Sequence, residues 1–196
     1  MAGIESGRLA LSLEPVSVSL VVQEVLTTLS PLADRAGLEI SATLALHEQA
    51  AALADRTRLA QILLNYGSNA IKYGRSGGRV IFTAYASGDR VRVTVSDTGI
   101  GIPEDKQSLL FQPFQRAGQE TGTIEGTGIG LAICKRLAEA MRGGVGFRSV
   151  AGQGSEFWVE LPLSAQPAAQ PRSNGHRVRA RRVKEPTSSR ARRCCI

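Results

Sequence analysis

The chain has 196 residues, enough for one medium domain with extensions, and its 42% hydrophobic content is sufficient for a sizeable core. No apolar run reaches the length of a membrane helix and the start has no signal-peptide pattern, so a cytoplasmic location is expected, with a membrane-anchored parent still compatible. The net charge of +7 is concentrated at one end: residues 164–196 hold nine Lys or Arg against Glu185 alone, while residues 1–163 hold fifteen bases and sixteen acids, which argues against a nucleic-acid face on the folded part.

In chain order, residues 1–12 read as the end of a preceding helix or linker running into a strand. Residues 16–36 carry apolar side chains at Val18, Val21, Val22, Val25, Leu26 and Leu29, which predicts a helix with Pro31 as a bend and Gly37 as its end. Leu38 to Leu46 alternates as a strand, and Ala50 to Ala54 is a second, short one. Asp55 is placed to cap a helix over Arg58 to Lys72 that Gly74 stops. Gly78–Ser87 and Arg90–Ser96 are alternating runs joined at Gly88-Asp89, a hairpin signal. A short helix is expected from Pro103, and Ala117 to Glu125 reads as a mobile loop. Gly126-Thr127-Gly128-Ile129-Gly130 opens a helix to about Met141, which Gly143-Gly144 breaks. Val145–Val150 and Ser155–Leu163 close the domain as a hairpin, and residues 164–196 form a basic tail with little to build a core.

The helix over residues 58–72 has an inverted wheel. Arg58, Gln61, Asn65, Ser68, Asn69 and Lys72 share one stripe about 100° wide, and nearly everything else is apolar. Such a helix is packed almost all round, with one polar seam left open, and a polar seam in a core needs a polar occupant. A solvated edge with two chance asparagines is the alternative. Asn69 offers a neutral carbonyl oxygen suited to Mg²⁺ on phosphates, and Lys72, one turn on, can reach a phosphate as a point charge. Asp97 ends a β run and is followed by Gly99 and Gly101, so its carboxylate can accept from an exocyclic amine beside room for a flat ring. An Asx turn alone would explain the same residues. The glycines before residue 131 bring unpaired helix N–H groups close to an anion, although no Walker lysine follows. Cys134 falls in an apolar helical pattern, Cys194 and Cys195 form neither a disulfide framework nor a prenylation ending, and His47 and His176 have no metal-ligand spacing.

Four stretches in order now resemble a known family. LNYGSNAIKY resembles an asparagine box, DTGIGIP a first glycine box, LFQPFQR a phenylalanine box and GTGIGLAICKRL a second glycine box, with GSEFWVELPL like the final strand. Over residues 13–163 the chain looks like the catalytic and ATP-binding domain of a sensor histidine kinase, within the superfamily shared with gyrase, mismatch-repair and chaperone ATPases. The resemblance implies a two-layer α/β sandwich: one mixed, largely antiparallel sheet under about three helices, with residues 104–125 as a mobile ATP lid. It implies ATP and Mg²⁺ as cofactors. Asp97 would bind the adenine amine, with Gly99, Gly101 and Ile102 shaping the pocket. Asn69 would hold Mg²⁺, with Asn65 beside it. Lys72 and Tyr73 would contact phosphate and ribose. Phe111, Phe114 and Arg116 would anchor or complete the lid, with Arg116 toward the transferring phosphate. Gly126, Thr127, Gly128, Gly130 and Leu131 would line the phosphates.

Hydrolysing members of the superfamily have a glutamate where this chain has Asn65, and an amide cannot be a general base. Asn65, Lys72 and Arg116 would therefore serve phosphoryl transfer by positioning and charge, as in a kinase. Tyr66 and Gly67 replace the bulky aliphatics more often found there, and Gly67 is expected to admit a close neighbour. Nothing in the chain resembles the phosphoacceptor hairpin, so the expected partners are a histidine-bearing dimerisation hairpin, in trans or on a missing N-terminal part, and a response-regulator receiver domain. A catalytically silent nucleotide-binding module that binds a kinase or response-regulator partner is the alternative.

Overall fold

The computed structural model describes residues 10–46, 50–112 and 129–168. Seven strands and four helices follow in the order β1 (Glu14–Ser17), α1 (Val18–Ala36), β2 (Glu39–Ala45), β3 (Ala51–Ala54), α2 (Arg56–Lys72), β4 (Arg79–Ser87), β5 (Arg90–Asp97), α3 (Glu104–Gln107), α4 (Gly130–Ala140), β6 (Gly144–Val150) and β7 (Gly154–Pro162). Five strands form one sheet in the order β2-β4-β5-β7-β6. Its β2–β4 pair is parallel because α2 carries the chain over between them, and the other pairs are antiparallel. The expected mixed, largely antiparallel sheet is therefore present.

One element differs from expectation. The first helix starts at Val18, since Val16 and Ser17 pair with Ala52 and Ala51 in a separate two-stranded sheet, β1-β3. Four residues give too little alternation to separate such a strand from the helical pattern that follows it. The second helix ends at Lys72 as expected, with Tyr73 as its C-cap, whose N–H bonds back to Asn69 O. Asp55 and Gly37 cap as expected: the Asp55 carboxylate accepts from Arg58 N at 3.1 Å, and Gly37 closes α1 at φ 67°. Pro31 lies inside α1 on its exposed side.

One face of the sheet is the core. Val80, Phe82 and Ala84 of β4, Val91, Val93 and Val95 of β5, and Phe157, Val159 and Leu161 of β7 are all buried with residues of α1, α2 and α4. Register aligns them in rows such as Phe82–Val95–Phe157–Phe147. The terminal row on this face changes character, running Val80–Asp97–Ser155–Ser149. On the other face Arg92 donates twice to Glu160 Oε1, at 2.8 and 2.5 Å, with its guanidinium 4.9 Å over the Trp158 ring.

Helix α2 is the centre of the helical layer, burying Leu59, Ile62, Leu63, Tyr66, Gly67 and Ala70. A Cβ on Gly67 would overlap Leu29 of α1 and stand 2.9 Å from Phe82 Cζ, so the glycine admits side chains from a helix and a strand at once. The Tyr66 hydroxyl is buried and has no hydrogen-bond partner among the described residues. Burial and the neighbouring Cys134 push its pKa up.

Candidate functional site

The polar seam of α2 is present as drawn from the wheel. Gln61 and Ser68 are exposed, while Arg58, Asn65, Asn69 and Lys72 are partly buried. The seam bonds mostly to itself. Arg58 Nη1 donates to Gln61 Oε1 at 3.1 Å, Ser68 Oγ to the Asn65 backbone carbonyl at 3.1 Å, and Asn69 Nδ2 to Asn65 Oδ1 at 3.3 Å. The last is long for an amide pair and correspondingly weak. Lys72 Nζ stands 5.3 Å from the Tyr73 ring centroid, which places the cation and the ring side by side at the helix end.

Gly130, the first residue of α4, lies directly against this seam: a Cβ there would overlap Asn65 Nδ2. Among the described residues no side chain caps α4. The start of the helix, with its first-turn N–H groups and positive dipole end, thus lies beside Asn65, an arrangement that attracts anions. Leu131 is partly buried and packs on the core.

The strand end carrying Asp97 is fastened to the same helix. Asp97 continues the core-facing row of β5 and is half-buried. Burial raises its pKa, against the backbone N–H bonds from Gly99 and Ser155 that lower it. Oδ1 accepts from Gly99 N at 2.7 Å, so the Asx turn exists, and the carboxylate retains acceptor sites for a ligand. Ile100 N donates to Tyr73 O at 3.1 Å, joining the first glycine box to the end of α2. Gly101 has φ 64° and presses on the Val150 carbonyl, where a side chain would be both strained and obstructed. The Ile102 N–H then donates to Ser149 Oγ at 2.8 Å.

The structure thus gathers Asn65, Asn69, Lys72, Tyr73, Asp97, Gly99, Gly101, Ile102 and Gly130 around the C-terminal half of α2. Phe111 lies in a different arrangement. It begins an aromatic row, with Phe147 at 5.9 Å, Phe157 a further 5.9 Å on, and Tyr66 5.6 Å beyond that. Phe114, Arg116, Gly126, Thr127 and Gly128 lie outside the described residues, as do most of the proposed lid, His47, His176, Cys194 and Cys195. Cys134 is buried in the core, in keeping with a packing role, and burial pushes its thiol up to about 12. Sequence reasoning missed Ser149, Ser155 and Gln107, which contact the glycine box or Asp97. The signal was a pair of serines breaking two alternating runs, which gains meaning only once register sets them in the row of Asp97.

Among the described residues no group of three His, Cys, Asp or Glu could hold a metal, and none of the helices described is long and apolar enough to cross a membrane. The donor set at the seam is two neutral amides. That suits a Mg²⁺ that keeps its waters and arrives with phosphates, and does not suit an all-protein metal cage.

A family model described as histidine kinase-, DNA gyrase B-, and HSP90-like ATPase matches residues 54–165. The chain is 40% identical over 164 residues to the circadian input-output histidine kinase CikA of Synechococcus elongatus, covering 83% of this chain and 22% of that protein. The crystal structure of full-length ShkA in complex with AMPPNP is similar at 39% identity with a TM-score of 0.70, over 82% of this chain and 33% of that one. The nucleotide-free catalytic domain of histidine kinase ThkA is similar at 27% identity with a TM-score of 0.68, over 78% of this chain and 96% of that one. The chain spans between about a fifth and a third of the length of the first curated relatives it matches, at 22% and 32%.

Proposed function

The chain belongs to the histidine kinase-, DNA gyrase B-, and HSP90-like ATPase family, and from that premise we propose that it is the ATP-binding catalytic domain of a cytoplasmic two-component sensor histidine kinase. It would transfer the ATP γ-phosphate to a histidine on a helical dimerisation hairpin, from which a response-regulator receiver domain takes it. The observation that carries the reading is the meeting of Asn65, Asn69 and the start of α4 at Gly130. This corner offers amide oxygens and backbone N–H groups to a phosphate chain, and Asn65, being an amide, cannot activate water as a general base.

In this reading Asp97 accepts from the adenine 6-amino group, with Gly99, Gly101 and Ile102 forming the wall of the base pocket. Asn69 holds Mg²⁺ and Asn65 stands beside it. The ion, when bound, neutralises phosphate charge. Lys72 and Tyr73 meet phosphate and ribose, and Gly130 and Leu131 complete the phosphate end. Phe111, Phe114 and Arg116 anchor the segment between α3 and α4, Gly126, Thr127 and Gly128 join the phosphate wall, and Arg116 assists the transferring group. The protein's task is to position and to neutralise, which is most of what phosphoryl transfer requires.

The test is to incubate the chain with γ-labelled ATP, Mg²⁺ and a cognate hairpin carrying the phosphoacceptor histidine. Acid-labile, base-stable phosphate on the hairpin is expected. Nucleotide binding without any such label would instead indicate a silent regulatory module.

A further inference from the structure

The glycine box that carries Ile102 is held from the far edge of the sheet by a hydroxyl that is itself fully used. Ser149 Oγ accepts from Ile102 N at 2.8 Å, donates to Gly154 O at 3.0 Å, and lies 2.9 Å from Ser155 Oγ. A hydroxyl has one proton and two lone pairs. With its proton on Gly154 O, Ser149 accepts the Ser155 proton, and its capacity is exhausted. Gln107 holds the other side of the same residue: its Nε2 donates to Ile102 O at 2.9 Å and to Ser149 O at 3.1 Å. Both polar groups of Ile102 are therefore fixed by side chains from outside the loop. Register explains the reach. Ser149, Ser155 and Asp97 stand side by side in the last core-facing row, and a Ser155 backbone N–H also bonds the Asp97 carboxylate.

Resting on the nucleotide reading above, we propose that Ser149 is a positioning residue for base recognition: with Gln107 it sets the separation between the Asp97 carboxylate and the Gly101-Ile102 wall, and so sets selectivity for a purine bearing a 6-amino group. Ser149 touches no substrate. It acts through Ile102, whose N–H it holds, and through Ser155, the register partner of Asp97.

The experiment compares the full chain with its Ser149→Ala, Ser149→Thr and Gln107→Leu variants. Calorimetry with Mg²⁺ measures binding of ATP and of purine riboside triphosphate, which lacks only the 6-amino group. The unmodified chain is expected to prefer ATP about tenfold or more, the worth of one charge-assisted hydrogen bond. Ser149→Ala should lose most of that preference, chiefly by weaker ATP binding, and Ser149→Thr should restore it. Gln107→Leu, which leaves the bonds of the Ser149 hydroxyl in place, should lose part of it and gives the answer if Ser149→Ala does not fold. Equal weakening toward both nucleotides with the preference intact would overturn the proposal and leave a structural serine. So would an undisturbed preference in both Ser149→Ala and Gln107→Leu. A native chain that binds neither nucleotide, or both equally, would instead overturn the assignment of Asp97 to the base.

Discussion

The two ends of the candidate site are built on opposite plans. At the Asp97 end, loop groups are engaged by other protein groups: Gly99 N by Asp97, Ile100 N by Tyr73, Ile100 O by Gly152, and both sides of Ile102 by Ser149 and Gln107. At the Asn65–Asn69 end the side chains have a 3.3 Å contact with one another and the start of α4 alongside. A pocket for a rigid flat base gains from being finished before the ligand arrives, because preorganisation removes an ordering cost from binding. A site for phosphates and a hydrated cation must exchange weak internal bonds for ligand bonds, so its own bonds are weak. The largest effect should come from the weakly bonded end. Asn69→Ala is expected to reduce Mg²⁺-dependent ATP affinity by about a hundredfold or more, since loss of even supporting groups at a metal costs roughly 10–100-fold. Thermal unfolding of the unliganded variant should stay put. Calorimetry with and without EDTA reads both, and equal affinity in the two media for native and variant chains would remove the metal from Asn69.

Asp97→Asn tests the preorganised end. An amide can still accept from Gly99 N, but it also presents N–H groups toward the ligand amine, so ATP affinity should fall roughly 10–100-fold. Stability should move the other way. Burial holds the folded pKa of Asp97 above its ordinary value of 3.8. The folded state then binds more protons than the unfolded state in that window, so stability declines as pH rises through it and the penalty persists at neutral pH. The asparagine variant escapes this penalty, and its unliganded Tm at pH 7 should equal or exceed that of the native chain. A drop in Tm would mean that the charge supports the fold, and the contrast between a strained recognition group and a relaxed metal end would be lost.

The smallest expected effect lies on the opposite side of α2. Tyr66→Phe removes a buried hydroxyl that has no partner among the described residues and keeps the 5.6 Å ring contact with Phe157. It should leave nucleotide affinity unchanged and raise stability by up to about 1 kcal/mol. A loss of ATP binding would show that the packed side of the helix is not insulated from its polar side.

Much of this was legible beforehand, and the exceptions share a cause. The wheel of residues 58–72 separated core from seam correctly, and Asp55 announced its cap, because both are local patterns of period 3.6 or of a few residues. The hairpin at Gly88-Asp89 was local too. What escaped was set by pairing across long separations. β1 needs β3, some 35 residues on, to be a strand. Ser149 and Ser155 were unremarkable polar residues until register placed them beside Asp97. The resemblance named Asp97 and the glycines but not what holds them, since motifs mark the groups that meet a ligand and are silent on the bonds behind them.

Asp55 does more than cap. One carboxylate oxygen accepts from Arg58 N in the first turn of α2, and the other accepts from Ser12 N at 3.1 Å, 43 residues earlier. Burial works against the charge, but the N–H bonds from Ser12, Arg58 and Thr57, with the Arg58 cation, outweigh it and hold the pKa below 3.8. That stabilisation is complete above the ordinary value and is lost as pH falls through the folded one. The incoming chain is thus moored to the same anion that finishes the helix carrying Asn65 and Asn69. Tension on Ser12 reaches the root of that helix through this carboxylate as well as through the β1–β3 pairing, and a single proton slackens the mooring and the cap together.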